Sequence, residues 1–136
     1  MSHSPILKLA AVFSLVFGVA LALAPNQLAA LYNAPEMNPT GVYNSMLYGC
    51  ALIALGVMYW AASTAPDVAD ARYVILAGLV FSVASFLVAI TRQLTSEAAT
   101  PAAWLNVVIF AVFALLFAYV YFGKLQSRQA TGIGAH

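Results

Sequence analysis

Charge is the scarcest commodity in this sequence: five Lys and Arg and four Asp and Glu make up 7% of 136 residues. A soluble domain carries about 25% charged residues. So few charges cannot coat a water-facing surface, and much of the exterior is expected to face lipid. The net charge of +1 leaves no electrostatic footprint for nucleic acid. The single cysteine, Cys50, excludes an internal disulfide and reads as a small apolar-type core residue. The two histidines, His3 and His136, stand at opposite termini, so no pair of buried imidazoles is available to hold a haem. No Cys, His and carboxylate cluster has metal-ligand spacing, and no glycine-rich phosphate loop is present. No acid lies in the middle of an apolar run, which argues against proton-coupled transport, because such transporters place ionisable groups inside the bundle. Small four-helix drug exporters rely on a glutamate in the first helix, and none stands there. An enzyme is therefore not expected, and no metal or cofactor is called for.

What the sequence has in abundance is apolar length, with 64% hydrophobic residues. A helix needs about 20 apolar residues to cross a hydrocarbon layer of roughly 30 Å. Four stretches qualify, at about 6–24, 42–62, 71–91 and 102–122. In lipid the backbone must satisfy its own hydrogen bonds, so each is expected to be a helix. The predicted fold is all-α, a single membrane-spanning four-helix bundle over residues 1–136. Lys8, the apolar run behind it and Ala22-Leu23-Ala24 mimic a secretory signal. The run is longer than a usual signal core and Pro25 would follow the cut, so the segment reads as a retained span.

Punctuation marks the ends. Thr100-Pro101 offers a capping hydroxyl before a proline at the first helical position. Asp67 and Asp70 stand where the third helix should begin, favourable to its dipole. Gly123-Lys124 closes the fourth helix and 130–136 reads as a tail. Leu28, Leu31 and Tyr32 follow Pro25 at helical spacing, which predicts a short interfacial helix, broken by Ala34-Pro35 and Asn38-Pro39.

With four spans, Lys8, Arg72, Lys124 and Arg128 share one side and only Arg92 lies on the other. The excess of Lys and Arg predicts that both termini are cytoplasmic. Tyr43 and Trp104 at one level, and Tyr59, Trp60, Tyr73, Tyr119 and Tyr121 at the other, read as two headgroup belts, one or two of whose rings should pack inside. Small residues recur on each span: Ser14, Gly18 and Ala22; Ser45, Gly49 and Gly56; Gly78, Ser82, Ser85 and Ala89; Ala111, Ala114 and Ala118. Such stripes let membrane helices approach closely, and packing within the bundle is preferred to a dimer seam.

One polar group converges by depth. Asn44, Ser45 and Tyr48 open the second span, Arg92 and Gln93 end the third, and Asn106 opens the fourth, with Glu36 and Glu97 the carboxylates within reach. Asn44 and Tyr48, four residues apart, share a helix face. Asn44, Tyr48, Arg92 and Asn106 form the candidate site, and it has two readings. One is interhelical hydrogen-bond glue, with Arg92 snorkelling to headgroups. The other is a shallow outer pocket for the polar head of a lipid, quinone or similar amphiphile.

The run Ala24-Pro25-Asn26-Gln27-Leu28-Ala29-Ala30-Leu31-Tyr32, followed by Tyr48-Gly49-Cys50-Ala51-Leu52-Ile53-Ala54-Leu55-Gly56, resembles small bacterial four-helix membrane proteins grouped as domains of unknown function. There a proline ends the first helix, an L-x-x-L-Y turn follows, and the second helix carries Y-G-x-x-L-x-x-x-G. Relatives of that type carry an arginine early in the second helix, where this chain has Asn44. The resemblance implies a bacterial plasma-membrane protein and supplies no activity. The expected function is an accessory or structural subunit of a larger membrane complex, or a self-associating bundle. The alternative is a binder or carrier of a hydrophobic small molecule. Expected partners are the lipid bilayer and other membrane proteins or further copies of the chain, not nucleic acid.

Overall fold

The computed structural model describes residues 3–95 and 100–125, the last two as backbone only. All regular structure in these residues is helical. Helix α1 (His3–Leu23) is followed by a short α2 (Pro25–Leu31), then α3 (Pro39–Ser63) and α4 (Arg72–Thr95). Helix α5 opens with a 3₁₀ turn, Pro101–Ala103, continues as α-helix over Trp104–Ala118, and widens to π-helical turns over Tyr119–Leu125. Among the described residues four helices are long and apolar enough to cross a membrane: His3–Leu23, Pro39–Ser63, Arg72–Thr95 and Pro101–Gly123. This is a membrane protein of all-α class.

Local chemistry sets the boundaries. Pro25 disfavours helical backbone in the residue before it, and Ala24 sits at φ −144°, ending α1 and starting α2. Helix α2 closes with Asn33 in the left-handed region at φ 52°. There the Ala34 N–H donates to the Ala29 carbonyl and the Asn33 N–H to the Ala30 carbonyl, a Schellman ending with asparagine in the usual glycine position. Asn38-Pro39, expected to be only a break, starts α3 instead. The Asn38 side chain accepts from the Gly41 N–H at 2.7 Å, and proline occupies a position whose N–H has no helical partner. The acids expected at the start of α4 stand outside it, because the helix begins at Arg72 with no acid in its first turn. Asp67 instead accepts from the Ala69 N–H within the preceding turn.

The helices pair as two hairpins, α1 with α3 and α4 with α5. In the first, the small-residue stripes meet as expected. A Cβ on Gly49 would stand 2.6 Å from the Gly18 carbonyl oxygen, and one on Gly56 would stand 2.7 Å from Leu15 Cγ. The backbones approach because neither glycine has a side chain.

The hairpins join at the end of the bundle that carries the N-terminus. There Ile6, Leu7, Ala10 and Ala11 of α1 pack with Tyr59 and Ala62 of α3, Ile75 of α4, and Phe117 and Val120 of α5. Val68 and Ala71, from the α3–α4 connection, complete this core. Gly78 admits the bulk: a Cβ there would meet the Phe117 ring at 2.6 Å and the Tyr59 hydroxyl at 2.9 Å. Tyr59, expected in a headgroup belt, is therefore an interior residue at 2% exposure, and its hydroxyl has no hydrogen-bond partner among the described residues. Cys50, expected in the core, is exposed. Gly49 faces α1, and the next residue on a helix lies about 100° around.

Candidate functional site

At the opposite end the hairpins part. Between them lies a cavity of about 710 Å³, reached by α1 from Phe13 to Leu21, by α3 from Gly41 to Leu52, by the last turns of α4 and by the first turns of α5. Its floor is aromatic. The Phe13 and Phe17 rings stack at 4.4 Å, and Phe13 meets Phe113 edge-on at 5.4 Å. Phe113 then leads to Phe117 at 6.4 Å and so into the joined core. Phe110, on the far wall, lies edge-on to Phe81 at 6.1 Å.

Helix α2 lies across one side of this opening. Pro25, Leu28, Ala29 and Tyr32 line the cavity, at the i, i+3, i+4 and i+7 spacing of one helix face. The short helix expected after Pro25 is present, and of the three residues that marked it Leu28 and Tyr32 line the cavity. Leu31 is 76% exposed and points away, and Pro25 and Ala29 are the buried residues.

Hydrogen bonds hold α2 to the second hairpin. The Tyr32 hydroxyl donates to Asn106 Oδ1 at 3.1 Å, while the Tyr32 carbonyl accepts from Thr100 Oγ1 at 2.7 Å. Thr100 precedes Pro101 as expected, yet its hydroxyl makes no capping bond because it serves this longer-range contact. Gln93 Nε2 donates to the Thr100 carbonyl at 2.9 Å, tying the end of α4 to the start of α5. On the other side, Asn26 Oδ1 accepts from the Met37 N–H at 3.1 Å, and Ser45 Oγ contacts Met37 Sδ at 3.2 Å, so the α2–α3 connection folds back on itself. Burial pushes the Tyr32 phenol above its ordinary value of 10.0.

Of the four candidate residues, Tyr48, Arg92 and Asn106 line the cavity and Asn44 does not. On α3 the lining stripe runs Gly41, Ser45, Tyr48, Leu52, which leaves Asn44 exposed on its flank. Arg92 is exposed at the mouth, in the last turn of α4, where a cation complements the helix dipole. Glu36 also lines the mouth. Among the described residues no carboxylate pairs with Arg92. Glu97, named beside Glu36 as a partner for it, lies outside the described residues.

Tyr32 and Thr100, like Ser14 and Asn38, are polar lining residues that sequence reasoning missed as part of the site. The spacing of Tyr32 from Pro25 and Leu28 was the available signal for its inward face. For Thr100, the capping pattern pointed to a local role. The arrangement offers an apolar chamber beneath a rim of amide, phenol, guanidinium and carboxylate groups. That chemistry suits an amphiphile, with its tail inside and its head at the rim.

The chain matches no protein-family model, no curated protein and no solved structure.

Proposed function

We propose that this chain is a multi-pass protein of the bacterial plasma membrane that binds an amphiphilic small molecule, such as a lipid or quinone, without transforming it. The cavity carries this reading. Its volume of about 710 Å³ falls within the roughly 300–1,000 Å³ of small-molecule sites, and its polar groups gather at one end. Bare aromatic and aliphatic walls forfeit dispersion contacts, and an apolar chain restores them better than water does. Lys8 and Arg72 on one side, with Lys124 and Arg128 adding to them in sequence, favour cytoplasmic termini and hence a cavity open toward the outer leaflet.

Native mass spectrometry of the protein released gently from its own membranes tests the proposal. The expected result is one defined small molecule retained per chain, and its loss from Ala89→Trp, which places an indole in the cavity. A bare chain, or equal retention by the variant, overturns the reading.

A second reading, as accessory subunit of a membrane complex, is supported by the exposed apolar surface of all four long helices, among them Val16, Val57, Val80 and Leu115. A stoichiometric protein partner in the same measurement would establish it.

A further inference from the structure

Resting on the proposal that the cavity holds an amphiphile, we infer that the head of that ligand is zwitterionic, with its anionic group toward Arg92 and its cationic group toward Glu36. Among the described residues these two are the only charged side chains that line the cavity. They come from different elements, the last turn of α4 and the α2–α3 connection, and stand too far apart to form an ion pair with each other. Among the described residues neither is paired with any other charge. The mouth thus presents one positive and one negative pole, held apart.

A purely anionic head gains from Arg92 and is repelled by Glu36. A cationic head meets the reverse, and a neutral head gains from neither. Only a head that carries both signs, a phosphate or carboxylate beside an ammonium, gains from both poles. The neutral neighbours agree with this polarity. Asn106 lines the cavity and its Oδ1 already accepts from Tyr32, which leaves its amide N–H groups to donate to an anion. Both poles are solvent-accessible, so the discrimination is modest and falls with salt.

The test uses the full chain in a non-ionic detergent. It is titrated with lysophosphatidylethanolamine, lysophosphatidylglycerol and a monoacylglycerol of the same acyl chain, with bound ligand counted by native mass spectrometry. The zwitterion should be retained about fivefold over each of the others at low salt. Glu36→Gln should remove the preference for the ethanolamine head over the glycerol head. Arg92→Gln should drop the glycerol phospholipid below the monoacylglycerol and leave the ethanolamine phospholipid only a reduced advantage, through Glu36. Both replaced residues are exposed, and unchanged thermal unfolding checks that the fold is kept. Equal retention of all three by the wild type overturns the assigned head and leaves the cavity reading standing. A preference for the glycerol phospholipid overturns it in favour of a simple anion site. Retention of none of the three overturns both.

Discussion

Replacing Gly49 by alanine challenges the close approach of α1 and α3. The added carbon would stand 2.5 Å from the Ala22 nitrogen and 2.6 Å from the Gly18 carbonyl oxygen, both of them backbone atoms that cannot rotate aside. Ordinary contact begins at 3.4 Å, so α1 and α3 must part locally by the shortfall of about 0.9 Å. Overpacking of this kind costs about 1–3 kcal/mol. Alanine recovers up to about 1 kcal/mol through its better helix propensity. A net loss of about 1–2 kcal/mol is therefore expected, read as a lower SDS fraction at the unfolding midpoint in mixed micelles. Gly123→Ala is the matched control, because its new carbon would meet nothing closer than Tyr119 at 3.8 Å. If Gly49→Ala unfolds at the same midpoint as Gly123→Ala, the seam is not set by backbone contact.

Tyr59→Phe removes a buried hydroxyl that has no hydrogen-bond partner among the described residues. It should leave stability unchanged or raise it by about 1 kcal/mol in the same assay, against the loss that a satisfied hydroxyl would show. Attachment of α2 should depend on alkaline pH. The Tyr32 pKa is raised in the folded chain, so its stabilising effect is complete below 10.0 and is lost as pH rises through the higher folded value. A spin label at Leu31→Cys in a Cys50→Ala background should gain mobility over that range, and adding Tyr32→Phe should remove the pH dependence. Unchanged mobility at high pH would contradict this.

The four spans could be read from sequence because apolar length and the prolines at 25, 39 and 101 act locally. Rotational phase could not. Helices apolar on every side give no periodic signal for the face that turns inward, which is why Cys50 lies outside the core and Tyr59 inside it. The glycine and serine stripes named the right surfaces on α1 and α3, since close approach demands small residues wherever it occurs. Gly78 was visible too, but its partners Phe117 and Tyr59 depend on how one hairpin meets the other. The same dependence governs the site. Tyr48, Arg92 and Asn106 share a depth that sequence could supply. The volume between them comes from hairpins that join at one end only, and the bond from Thr100 to Tyr32 spans 68 positions of chain.

The division into hairpins bears on how the chain assembles. Each seam, α1 against α3 and α4 against α5, joins helices close in sequence, so little chain entropy is lost in forming it. The contact between the pairs is smaller and must wait for the fourth helix to arrive. During synthesis each half can thus become a finished unit before the two meet, and the cavity exists only once they have met. A chain stalled halfway would hold a well-packed first pair and no binding chamber. Occupancy of the cavity is therefore a signature of completed assembly, one that helix content alone would miss.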